Sequence, residues 1–228
     1  MKVRLRFSKT GALVYIGHLD VMRYFQKLLR RSGIPVAYTE GFSPHQILSF
    51  SHPLPLGMES IGEYADVLLT EKITTKEALE SLKAQSVPEI EVFSFKELSE
   101  KCENAMASVI AARYEISFAD KATPFDIEKA ANDLMSCDEV IVLKKTKKSE
   151  KEVNIRPLVY ELSADNATGR INMLVSAGSK DNVKPELVIN AMAEGAYRFD
   201  VCDLCMKRID QFTKEELISL DEIGKDII

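Results

Sequence analysis

Histidine is the side chain that most readily moves a proton near neutral pH. The three in this chain, His18, His45 and His52, fall within 35 positions of one another. If the fold gathers them, His18 and His45 with either Glu59 or Glu63 supply the parts of general acid–base catalysis. His18 lies in Gly17-His18-Leu19-Asp20 at the entrance to a predicted helix, where backbone amides and the helix dipole favour an anion. Asp20 has a structural reading beside that one, as a cap or as a partner for Arg23 three residues on. Gly41-Phe42-Ser43-Pro44-His45 has the ingredients of a binding loop, a permissive glycine, a stiffening proline and two flat rings. Rings beside basic side chains hold single-stranded nucleic acid by stacking and phosphate neutralisation. Phe42 reads equally as a buried plug.

Cys202 and Cys205 form a single Cys-x-x-Cys, which supplies two metal ligands, and Cys102 and Cys137 stand at no zinc spacing from it. The pair reads as small apolar residues, so no metal and no cofactor is expected. Phosphate-binding glycine loops, dinucleotide fingerprints and His-Glu-x-x-His are absent.

The 228 residues hold 30 Lys and Arg against 35 Asp and Glu, a net charge of −5 that as an average argues against a polyanionic partner. The average conceals segregation. Residues 1–31 contain Lys2, Arg4, Arg6, Lys9, Arg23, Lys27, Arg30 and Arg31 against Asp20 alone, a net of +7, so the remaining 197 residues carry −12. Asymmetry of this kind suggests polyanion binding. A second basic run, Lys144, Lys145, Lys147, Lys148, Lys151 and Arg156, is expected in an exposed hairpin or loop. The chain has no apolar stretch near the roughly 18 residues that cross a bilayer, and Lys2 to Phe7 has no signal-peptide character. A cytoplasmic protein without a membrane partner is expected, its cysteines kept as thiols.

The elements that must position these residues follow from periodicity. Residues 2–8 alternate Val3, Leu5 and Phe7 with Lys2, Arg4 and Arg6, a strand with one basic face. Residues 18–32 form an amphipathic helix with Arg23, Lys27, Arg30 and Arg31 on one side and Met22, Phe25, Leu28 and Leu29 on the other. Gly33 is placed to stop it. Extended segments are predicted at 36–39, 47–50, 64–69 and 89–95, with a helix at 75–84 capped by Thr74 or Thr75. The second half repeats the order with strands at 113–118, 139–145, 170–175 and 206–212 and helices at 124–135 and 184–193, the first of them with Pro124 in its opening turn. The expected fold is α+β, two tandem ferredoxin-like βαββαβ domains at residues 1–98 and 99–228.

The segments Lys2-Val3-Arg4-Leu5-Arg6-Phe7-Ser8-Lys9-Thr10-Gly11, Tyr15-Ile16-Gly17-His18-Leu19-Asp20 and Arg30-Arg31-Ser32-Gly33-Ile34-Pro35-Val36-Ala37-Tyr38, with Gly41 to His45 and Pro53 to Ser60, stand out together. In combination they resemble a bacterial family of radical-SAM-linked proteins. Ile155-Arg156-Pro157 and Lys184-Pro185-Glu186 extend the resemblance into the second half. Members occur alone or at the C-terminus of B12-binding radical SAM proteins, which implies a partnership with such an enzyme. Separate-chain genes neighbour those of ribonuclease G and ribosomal proteins, an RNA theme. The family pattern has a Lys two residues after the position of His45; Ile47 stands there in this chain. The repeated order also looks like that of CRISPR repeat-associated RNA-binding proteins, an analogy of fold alone.

The sequence thus points to a non-radical accessory protein that binds RNA and works with a radical SAM enzyme. Its phosphate- and RNA-binding candidates are Arg4, Arg6, Arg23, Lys27, Arg30, Arg31, Phe42, Ser43 and His45. The alternatives are a metal-independent endoribonuclease using His18 and His45, with Glu63 as a further catalytic candidate, and an adaptor that meets the radical SAM enzyme without touching RNA.

Overall fold

Val3, Leu5 and Phe7 are buried on one face of the first strand, β1 (Lys2–Lys9), as the alternation predicts. The computed structural model describes residues 1–119, 123–145, 150–178, 181–214 and 216–228. It divides into two units, Met1–Ile110 with Asp210–Ile228, and Ala111–Ile209. The architecture is α+β.

In the first unit β1 leads through a 3-10 turn into α1 (His18–Arg31). Val21, Phe25, Leu28 and Leu29 form the buried stripe of α1, while Met22 is only partly covered. The helix stops as Gly33 predicts. Gly33 takes a φ of 66°, its N–H donates to the Arg30 carbonyl at 3.2 Å, and Ile34 N–H donates to that of Leu29 at 3.1 Å. Next come β2 (Leu48–Phe50), β3 (Glu59–Leu68), α2 (Thr75–Gln85) and β4 (Val92–Glu97). Thr74 is the cap of α2 in a reciprocal box with Glu77. The strands lie side by side as β4-β1-β3-β2, each neighbouring pair antiparallel. Residues 36–39 form isolated bridges, Val36 with Leu69 and Tyr38 with Gln46. β3 begins five residues before the predicted 64, because pairing with β1 extends past Tyr64 to Ser60.

Arg4 belongs to this scaffold. It is 2% exposed, and its guanidinium donates to both Asp66 oxygens, at 2.7 and 3.0 Å, from the neighbouring strand. Asp66 also accepts the N–H of Ala105 at 2.9 Å, the start of the short α3 (Ala105–Ser108), and lies 3.5 Å from Lys2 Nζ. Three hydrogen bonds and the nearby Lys2 ammonium satisfy the carboxylate, as a buried charge requires. The expectation that Arg4 meets phosphate fails for this reason.

The second unit contains β5 (Val109–Phe118, from Ala111), α4 (Ile127–Ser136), a separate hairpin of β6 (Ile141–Lys145) and β7 (Glu150–Asn154), β8 (Val159–Asp165), β9 (Arg170–Ser176) and α5 (Pro185–Met192). β10 (Leu204–Thr213) enters this unit beside β5, in the order β10-β5-β9-β8. Three expectations are corrected here. Residues 139–145 contribute to the hairpin instead of the main sheet, whose edge is β8, a strand that periodicity did not predict. The helix begins at Ile127, since Asp126 accepts the Lys129 N–H at 3.0 Å and leaves Pro124 outside. Pro185 is the proline at a helix's first turn. The basic run does lie in a hairpin, but Lys147 and Lys148 fall outside the described residues.

Residues 210–213 of β10, with β11 (Ile218–Ser219) and β12 (Lys225–Asp226), belong to the first unit. There Asp221 accepts from Arg6 and Ser94, and the Tyr64 hydroxyl donates to Asp210, which Ser219 also reaches at 2.7 Å. Burial first, and then the Asp210 carboxylate beside it, push the Tyr64 phenol far above its ordinary 10.0.

Two outcomes follow for stability. Asp66→Ala leaves the Arg4 guanidinium buried without its partner, so urea unfolding should show a loss of about 3–5 kcal/mol, much of it recovered when Arg4→Met is added. In the folded chain Tyr64 keeps its proton where an unfolded tyrosine loses it, so stability declines as pH rises above about 10. Tyr64→Phe should remove up to about 1.4 kcal/mol per pH unit from that decline, measured by denaturant unfolding between pH 9 and 11.5.

Candidate functional site

Phe25 decides where the cations of α1 point. Its ring packs 4.4 Å from that of Phe7 and 5.5 Å from that of Phe50, which fixes the rotation of the helix on the sheet. Arg23, Lys27 and Arg30, spaced i, i+4 and i+7, therefore form one exposed stripe. Arg23 makes an exposed 3.2 Å ion pair with Asp20, of little energetic weight. Asp20 thus serves as a partner of Arg23; the helix N-cap is Gly17, without a side-chain cap. Among the described residues Lys27 and Arg30 have no ion-pair partner.

The loop after the helix closes over this stripe. Ile47 N–H donates to the Ala37 carbonyl at 2.8 Å and Thr39 N–H to the His45 carbonyl at 2.9 Å, so the segment folds back on itself. Gly41 at the turn has a φ of 109°, a value that a side chain would strain. Thr39 Oγ1 lies 3.1 Å from His45 Nδ1 and accepts the His45 N–H at 3.1 Å, and Nδ1 is 3.4 Å from the Ser43 carbonyl. These contacts tie Nδ1 to the loop and leave Nε2 for a ligand. Phe42 and Ser43 stand exposed at the tip. Phe42 is not a plug.

Between helix and loop lies a groove of about 290 Å³, lined by Arg23, Gln26, Lys27, Arg30, Tyr38, Pro44, His45 and Gln46. No acid lines it. Tyr38, Gln26 and Gln46 were missed by sequence reasoning. The only signal for them was position, Gln26 among the helix cations and Gln46 beside His45, and Tyr38 joins them through a bridge across the loop.

Other predicted residues lie elsewhere. Arg6 donates to the Ile61 carbonyl at 3.1 Å and to Asp221, and Arg31 to the Gln85 carbonyl at 3.3 Å at the end of α2. Neither lines the groove. His18 and Glu63 line a second, smaller cavity of about 20 Å³ with Lys9 and His52, room for about one water. His18 and His45 are therefore not gathered into one site. Among the described residues no three His, Cys, Asp or Glu side chains gather to hold a metal ion, and the four cysteines are free thiols, three of them exposed. No helix of the described residues is long and apolar enough to cross a membrane.

A family model described as "Uncharacterized protein conserved in bacteria (DUF2344)" matches residues 2–185. The chain belongs to that family. The part of this DUF2344 protein that matches contains every residue of the groove and ends within α5. No curated protein matches it. Among solved structures it is similar to a chain in "Crystal Structure of a Cbf5-Nop10-Gar1 Complex", at 11% identity with a TM-score of 0.49. That match covers 96% of this chain and 53% of the other, so this chain spans about half the length of the one it matches.

Because the Phe42 ring touches solvent on all sides, Phe42→Ala should leave the free energy of unfolding within about 0.5 kcal/mol of the parent in urea titrations. A loss of 3 kcal/mol or more, the mark of a vacated core site, would show that the ring is buried.

Proposed function

We propose that this chain is a cytoplasmic, non-radical accessory protein that binds single-stranded RNA in the α1 groove and works with a radical SAM enzyme in RNA modification or maturation. We read its two units as ferredoxin-like, each a βαββαβ arrangement that uses its sheet to position a helix and loops. One observation carries the reading. Three cations of one helix face a groove without an acid, and a fully exposed aromatic ring stands on the loop that forms its other wall. Such cations neutralise phosphates, and rings such as Phe42, Tyr38 and His45 offer faces on which unpaired bases stack. The charge of −5 does not oppose this, because binding responds to the local field.

The partner enzyme and the RNA need different surfaces. Tyr15, Leu19 and Leu56 are exposed large apolar side chains, and the Gly57 N–H donates to the Val14 carbonyl at 3.0 Å, which links the turn of Leu56 to the segment of Tyr15. This favours the start of α1 as the place where a protein partner docks. The groove lies along the same helix.

A salt titration tests the RNA reading. With three phosphate contacts, log affinity for a single-stranded RNA should decline with log salt at a slope near −2, roughly a twentyfold loss between 50 and 200 mM. Each of Arg23→Ala, Lys27→Ala and Arg30→Ala should reduce the slope by about 0.7. Absence of binding at 50 mM, or an unchanged slope in the triple variant, would refute the proposal.

A further inference from the structure

Among the residues that line the groove, one buried side-chain polar atom is left without a hydrogen bond. Gln46 is 7% exposed and lines the groove, and its amide nitrogen donates to the Tyr38 hydroxyl at 3.4 Å. Its carbonyl oxygen Oε1 is buried with no partner. A buried acceptor without a donor is costly and rare. Here it belongs to a side chain that lines a groove whose three cations can only donate. A ligand that satisfies both is anionic at one end and carries an N–H or O–H donor at the other. A nucleotide has this chemistry, with its phosphate and the edge of its base.

The size is close. A volume of about 290 Å³ falls just below the range of sites that hold one small molecule, roughly 300–1,000 Å³. Tyr38 is half exposed and His45 exposed, so each has ring surface open to a base in the groove. We infer that the groove holds one nucleotide of the bound RNA, its phosphate on Arg23, Lys27 and Arg30, and that Gln46 Oε1 reads an N–H of the base edge. This rests on the RNA reading above and adds a specificity-determining residue to it. The cations bind any sequence, since phosphates carry no sequence information, whereas Gln46 discriminates by the donor a base presents.

The probes are six-nucleotide RNAs of adenosine or uridine, each compared with a hexamer whose donor is methylated (N6,N6-dimethyladenosine or 3-methyluridine), at 50 mM salt. For the tighter-binding base, methylation should weaken binding to the wild-type chain about tenfold. Gln46→Met and Gln46→Leu, similar in volume, should bind the unmodified hexamer about tenfold more weakly and its methylated form as the wild type does. Both variants remove a buried unpaired acceptor, so they should melt no lower than the parent. Equal discrimination by wild type and variants, or none by the wild type, overturns the assignment of Gln46. If binding then still shows the salt slope that the triple alanine variant loses, the RNA reading stands without it. Failure of every hexamer to bind at 50 mM overturns both.

Discussion

Three phenylalanine rings, Phe7 on β1, Phe25 on α1 and Phe50 on β2, meet in the core of the first unit. A helix on a sheet can bury only one stripe, and once Phe25 occupies this contact the opposite stripe must face water. Arg23, Lys27 and Arg30 gain a common direction from an apolar contact on the far side of their own helix. The Schellman ending at Gly33 then turns the chain back, so the loop of residues 38–46 runs beside the cations. The groove is the space between these two consequences.

The charge of the first 31 residues has two destinations. Arg4 is consumed by Asp66 and Arg6 by Asp221 and a backbone carbonyl, both within the sheet. A buried charge without a partner is unstable, and Arg4, like the partly buried Arg6, is offset by a carboxylate beside it. On α1 no such demand exists, and the cations remain open to an anion. A segment with a net charge of +7 thus supplies both a structural lattice and an exposed cationic stripe.

Asp66 and Asp210 serve the chain's connectivity. Asp66 ties α3, the last element before the second unit, to β1 and β3, and Asp210 receives Tyr64 and Ser219 where the chain returns. Two buried or half-buried carboxylates therefore stand where the chain leaves the first unit and where it comes back. The partners are 62 residues apart in one case and 146 in the other. No local pattern announces such pairs.

What the sequence determined by itself was local. The buried stripe of α1, its stop at Gly33, the Thr74 cap, the alternation of β1 and the concentration of positive charge are all consequences of side-chain period, glycine conformation or composition. The edge strand β8 escaped notice because an edge buries little and Val159–Asp165 alternates weakly, while residues 141–145, richer in β-branched side chains, pair in a hairpin of their own. Only the tertiary structure decided which arginines are surface, that His18 and His45 line separate cavities, and that Gln46 lines the groove while its Oε1 is buried without a partner. Each of these depends on what a residue distant in the chain does to its neighbour's exposure, and exposure is a property of packing.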